Sequence, residues 1–131
     1  MKVIGCIILT AWGMVAEGAV VRGLKAISVA DGFTVELAAG PDLAPYGMLA
    51  DFDERGRLFI AASSGKNIGG KAMSDKPECR ILMLEDRDGD GRFDRSTVYA
   101  DQVGIPMGLL CWRGDVYTAS PSGCIAVAGY E

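Results

Sequence analysis

Short apolar runs separated by turn residues set the character of this chain from about residue 30 onward, and no sustained helical period appears there. Phe33-Thr34-Val35-Glu36-Leu37 alternates after Asp31-Gly32, which predicts a strand with Phe33, Val35 and Leu37 facing inward. Gly40-Pro41-Asp42 breaks that run, and Gly47 to Phe52 is the next extended piece. Asp53-Glu54-Arg55-Gly56 then turns the chain into Arg57 to Ala62, which makes a hairpin. Ser63 to Glu78 is polar and rich in glycine and lysine, so it is expected to be an exposed loop. Cys79 to Leu84 and Ser96 to Ala100 read as strands flanking an Asp/Gly connection. A second hairpin follows: Gly108 to Trp112, a turn at Arg113-Gly114-Asp115, then Val116 to Ala119. Pro121-Ser122-Gly123 breaks again before Cys124 to Val127. The expected fold class is all-β and antiparallel.

The two hairpins repeat one another. Pro45-Tyr46-Gly47 recurs as Pro106-Met107-Gly108, an offset of 61, and Gly56-Arg57-Leu58-Phe59 recurs as Gly114-Asp115-Val116-Tyr117, an offset of 58. Repeat units therefore span about 45–100 and 106–131, the second incomplete. A β unit recurring at this spacing is the signature of propeller blades, and a two-fold repeat within a sandwich is the alternative. The expectation is a partial β-propeller of about two blades.

Composition adds a targeting segment and several exclusions. Met1-Lys2 precedes a charge-free run from Val3 to Ala16, then Glu17. This reads as a signal peptide over residues 1–18 and hence as an exported chain, periplasmic or extracellular; a spanning anchor would need about 20 apolar residues. Removing residues 1–18 from 131 leaves 113, one small domain over 19–131. The net charge of −4 argues against nucleic acid or an anionic membrane as partner. Cys79, Cys111 and Cys124 remain after the signal, an odd number with no CxxC pair; two could join as a disulfide, or each could be a small buried strand residue. The absence of histidine removes the commonest general base and most transition-metal sites.

One segment carries candidate chemistry. Asp86-Arg87-Asp88-Gly89-Asp90-Gly91-Arg92-Phe93-Asp94 places carboxylates at positions 1, 3, 5 and 9 of a loop with glycine at position 6, the ligand rhythm of a calcium loop. Asp86, Asp88 and Asp90 would offer side-chain oxygens, Arg92 its carbonyl, and Asp94 a direct or water-mediated contact. Position 12 is Thr97 instead of a bidentate glutamate, so the expected affinity is weak, on the order of 10⁻⁴–10⁻³ M. A solvated Asp/Gly turn uses the same residues for their backbone freedom alone. No catalytic set emerges: Ser63-Ser64-Gly65 lacks a base, and Lys66, Arg80 and Arg87 read as surface charges.

Asp31-Gly32-Phe33, Gly56-Arg57-Leu58-Phe59-Ile60-Ala61, Leu84-Glu85-Asp86-Arg87-Asp88-Gly89-Asp90-Gly91, Val98-Tyr99-Ala100-Asp101 and Pro106-Met107-Gly108 follow one another in an order that carries a resemblance. The chain resembles the N-terminal propeller of the exported membrane-bound dehydrogenase domain proteins of planctomycetes and verrucomicrobia. Those proteins are similar to soluble quinoprotein glucose and sorbosone dehydrogenases and often continue into helical repeats and a cytochrome c module. The resemblance implies a dehydrogenase-like role, with pyrroloquinoline quinone (PQQ) as the family's cofactor; this chain lacks the histidine that serves those enzymes as base. Two functions are expected from different classes. One is an exported part of a dehydrogenase-like propeller with a structural calcium turn, not catalytic alone and completed by further blades or by self-association through strand edges. The other is a small secreted calcium-stabilised β module for binding or adhesion.

Overall fold

The computed structural model describes residues 23–67, 69–121 and 123–127, so the expected signal peptide at 1–18, Cys6 and the C-terminal residues 128–131 lie outside the described residues. Among the described residues, seven strands form two antiparallel sheets. The first sheet runs β1 (Gly47–Phe52), β2 (Leu58–Ala62), β3 (Cys79–Glu85) and β4 (Arg95–Val103), in spatial order β1-β2-β3-β4. The second runs β5 (Gly108–Trp112), β6 (Asp115–Ser120) and β7 (Gly123–Val127), in order β5-β6-β7. Each is a simple meander, and neither closes into a barrel. This is the all-β, blade-like architecture expected from the repeat.

The connections follow from turn chemistry. At the β1–β2 turn, Asp53 Oδ1 accepts the N–H groups of Arg55 (3.0 Å) and Arg57 (2.9 Å), and its Oδ2 pairs with the Arg57 guanidinium at 2.6 Å. Gly56 closes this turn at φ +78°. The β5–β6 turn is tighter: Arg113 and Gly114 both have positive φ, +54° and +84°, as a two-residue primed turn requires. The repeat is thus visible in space, with glycine in the left-handed region at the equivalent positions 56 and 114.

All five residues of β2 are buried. Leu58, Ile60 and Ala62 face a cluster with Leu82 and Leu84, covered by Ala39, Leu43, Ala44 and Phe93. Phe59 points the opposite way, into a cluster with Cys79, Ile81, Val103 and Val116 of β6, flanked by Leu109 and Cys111 of β5. A strand buried on both faces must be apolar throughout, which is why Leu58-Phe59-Ile60-Ala61-Ala62 does not alternate. Two acids also tie the sheets together. Asp51 Oδ2 accepts the Cys111 N–H at 2.8 Å, and Glu54 Oε1 accepts the Arg113 N–H at 2.7 Å.

Two local expectations are corrected. Phe33 to Leu37 forms no strand: no neighbouring strand pairs with it, and Phe33 is 64% exposed instead of facing inward. Alternation alone cannot hold a strand whose backbone groups find no ladder. Ser63 to Glu78 is not all loop; it contains the short helix α1 (Gly70–Asp75), which has no buried residues and carries a Lys71–Asp75 ion pair at 2.8 Å.

Candidate metal centre

The acidic loop is the β3–β4 hairpin connection. Its base is closed by the Asp94 N–H donating to the Glu85 carbonyl at 3.0 Å, with Glu85 opposite Arg95 in the ladder and ion-paired to it at 3.6 Å. Phe93 turns back from the loop against the Leu58–Leu84 cluster and lies 6.3 Å from the Phe52 ring. This anchor fixes the second leg of the loop, and with it Asp94.

Within the loop, Asp86 accepts two backbone N–H groups, from Gly89 at 2.8 Å and from Gly91 at 2.9 Å. Gly89 and Gly91 adopt φ of +76° and +91°, and this left-handed backbone is what lets their amides point inward. Asp94 Oδ2 accepts the Arg87 N–H at 3.3 Å, and Asp88 Oδ1 accepts that of Asp90 at 3.2 Å. The outcome is a convergence: Asp86, Asp88 and Asp94 each offer an oxygen, all within 4.8 Å of one another. Hard oxygen donors gathered at that separation suit a calcium-sized cation, whose oxygens sit about 2.3–2.6 Å from the ion.

Three of the sequence-derived ligands, Asp86, Asp88 and Asp94, are therefore brought together. Asp90 is not part of this group; its Oδ1 accepts the Arg92 N–H at 2.8 Å. Arg92 is half-buried, and that bond uses its N–H, not the carbonyl expected as a ligand. Thr97 lies in β4 opposite Met83, so the chain has already rejoined the sheet where an EF-hand would place its glutamate.

A second region holds polar groups together. At the sheet end where β1 and β3 start and β2 and β4 finish, a cleft of about 770 Å³ is lined by Tyr46, Ser63, Lys66, Glu78, Arg80 and Gln102, among others. Its cations are already matched: Lys66 and Lys76 both pair with Glu78, and Arg80 pairs with Asp101 at 3.2 Å. Lys66 and Lys76 hold the Glu78 carboxyl below its usual range. Tyr46 and Gln102, at φ +52° and +54°, border the same cleft, and the Tyr46 carbonyl accepts the Ser63 N–H at 3.0 Å. The Tyr46 ring occupies the space beside Gly65: a Cβ there would run into it. These left-handed residues carry no sequence signal, because neither is a glycine or asparagine.

The cysteines among the described residues are free: Cys79 buried, Cys111 half-buried, Cys124 exposed. Burial, reinforced by the Asp51 carboxylate, pushes the Cys111 thiol up to about 11, so it is protonated at neutral pH and a poor nucleophile. Asp51 and Glu54, the acceptors that join the sheets, were not singled out by sequence. A signal existed for Asp51, an acid at the position opposite Phe59 on the inward face of β1.

A pair of antiparallel blade-like sheets, one bearing an acidic hairpin loop, defines the class of this protein. Residues 20–127 match the family described as Domain of unknown function (DUF7133), and the chain belongs to that family. Comparison with curated proteins and with solved structures gave no match.

Proposed function

We propose that this chain is a two-blade part of an exported, dehydrogenase-like propeller, in which the Asp86–Asp94 loop takes up calcium as a structural staple and no catalysis occurs on the chain alone. The observation that carries the reading is the meeting of Asp86, Asp88 and Asp94 at the tip of a paired hairpin whose other leg is anchored by Phe93. An ion there offsets three neighbouring carboxylates and locks the β3–β4 register. It faces solvent at a hairpin tip, which suits a structural ion better than a reacting one.

The absence of histidine, the protonated Cys111 and the engagement of Lys66, Lys76 and Arg80 with acids all favour a non-catalytic role. A quinone bearing carboxylates would have to displace Glu78 and Asp101 from those cations, so the cleft does not fit that cofactor.

Calorimetric titration of the full chain with calcium, alongside magnesium, tests the proposal. Binding on the order of 10⁻⁴–10⁻³ M is expected, with Asp88→Ala weakening it at least tenfold and Asp90→Ala much less. No heat at millimolar calcium, or Asp88→Ala behaving as the wild type, overturns it.

A further inference from the structure

Three Asp–Gly pairs lie among the described residues: Asp31-Gly32, Asp88-Gly89 and Asp90-Gly91. In such a pair the glycine amide nitrogen can attack the preceding side-chain carboxyl, because glycine has no side chain to block the approach. All six residues are exposed, and the three glycines share a left-handed backbone, with φ of +88°, +76° and +91°. Neither exposure nor glycine conformation separates the three sites. Hydrogen bonding does.

In the acidic loop both reacting groups are held. The Gly89 N–H donates to Asp86 Oδ1 at 2.8 Å, and the Gly91 N–H to Asp86 Oδ2 at 2.9 Å. The nitrogen must shed that proton to attack, and a carboxylate that already accepts it opposes the step through a charge-assisted bond. The attacked side chains are fixed as well: Asp88 Oδ1 accepts the Asp90 N–H at 3.2 Å, and Asp90 Oδ1 the Arg92 N–H at 2.8 Å. At Asp31-Gly32 the amide two residues on is already taken, because the Phe33 N–H donates to the Ala30 carbonyl at 3.1 Å. That bond closes a turn with Gly32 at its third position, where φ of +88° fits type II. Neither the Gly32 N–H nor the Asp31 carboxylate has a hydrogen-bond partner among the described residues.

We infer that Asp31 is a site of spontaneous backbone isomerisation in the folded chain, and that Asp86 shields Asp88 and Asp90 from the same modification. The Gly32 nitrogen bonds to Asp31 Cγ, and the amide hydrogen and the carboxyl hydroxyl leave together as water, closing a succinimide ring. Water then opens the ring at either carbonyl. Opening at the original backbone carbonyl leaves the chain linked through Cβ and Cγ of residue 31, with one added backbone methylene and a carboxylate on Cα. The mass is unchanged, and the reaction needs no oxidant, cofactor or second protein. The added methylene disrupts the Ala30–Phe33 turn but spares both sheets, since residues 33–37 pair with no strand. The inference does not rest on calcium uptake by the acidic loop, so either can fail alone.

The test ages the full chain at neutral pH, folded and in urea, with a chelator present throughout so that no bound cation contributes to protection. Peptide mapping with electron-transfer fragmentation reads isoaspartate at each site from cleavage beside the added methylene. In urea the three sites are expected to react at similar rates. In the folded chain Asp88 and Asp90 are expected to react at least tenfold more slowly than Asp31. Asp86→Ala, checked for native melting by tryptophan fluorescence, should return Asp88 and Asp90 to within a few-fold of their urea rates and leave Asp31 unchanged. Equal rates at the three sites of the folded chain, or Asp88 or Asp90 ahead of Asp31, overturn the inference. So does protection of Asp88 and Asp90 that persists in folded Asp86→Ala. The comparison of folded and urea-treated native chain decides the place of Asp31 whether or not that variant folds.

Discussion

Replacing Asp51 by alanine isolates the link between the sheets. Asp51 Oδ2 accepts the Cys111 N–H at 2.8 Å and Oδ1 accepts the adjacent Phe52 N–H at 2.9 Å. The Cys111 bond is the one that matters for cohesion, because it crosses from the edge strand of one sheet to the edge strand of the other. A hydrogen bond to a charged group contributes about 1.5–3 kcal/mol, and the half-buried position of Asp51 places the loss for Asp51→Ala near ~2 kcal/mol. Asp51→Asn keeps an oxygen acceptor without the charge and should lose roughly half as much. For a domain of this size, ~2 kcal/mol is a fall of about 8 °C in melting temperature. Urea denaturation followed by tryptophan fluorescence gives the stability, and hydrogen exchange at the Cys111 amide reads the bond directly. The carboxylate also helps to raise the Cys111 thiol. Asp51→Asn should therefore lower that pKa from about 11, while burial, the larger cause, keeps it above its ordinary value of 9. If Asp51→Ala costs under about 0.5 kcal/mol and leaves Cys111 exchange unchanged, the sheets are not joined through this side chain.

Three further outcomes are expected. Phe59→Ala removes a side chain buried on the inter-sheet side and its edge-on contact with Tyr99 (5.0 Å, 86°), which should cost about 3–5 kcal/mol in chemical denaturation and leave little of a marginal domain folded. Phe93→Ala frees the second leg of the acidic loop, so calorimetry should show calcium binding several-fold weaker although no proposed ligand is touched. Alkaline pH should destabilise the fold. The Cys111 thiol is raised from 9 to about 11 and Tyr99 is raised by burial, so the folded state favours the protonated forms; stability is full below pH 9 and falls as pH rises towards 11. Partial exposure reduces the two-unit Cys111 contribution to about 1 kcal/mol, and Cys111→Ala should flatten that part of the pH profile.

Strand positions were legible where glycine and turn residues punctuate apolar runs. β1 and β5 occupy Gly47–Phe52 and Gly108–Trp112, as read from the sequence, because both enter through a Pro-x-Gly and leave into a glycine-ended turn. Phe33 to Leu37 misled because alternation reports amphipathicity, not the presence of a partner strand. Helix α1 escaped because six residues, without a side-chain cap or an acid in the first turn, show no period. In the acidic loop, spacing pointed to Asp86, Asp88 and Asp94, whose carboxylate oxygens the fold brings within 4.8 Å of one another. It could not foresee that Asp90 would turn to the Arg92 amide, since Asx turns compete for the same carboxylates as a metal does.

The Tyr46 ring packed over Gly65 ties two distant sequence positions into one inherited unit. A side chain at position 65 would push the exposed Tyr46 ring aside, and the φ of +70° disfavours one in any case. Drift at the two sites is therefore asymmetric: Tyr46 can shrink without a clash at Gly65, but residue 65 can grow only if the ring moves or is lost. Within the family, a bulky residue at the Gly65 position should be enriched in sequences that lack the ring at the Tyr46 position. The order of substitution along a lineage would thus record this single packing contact.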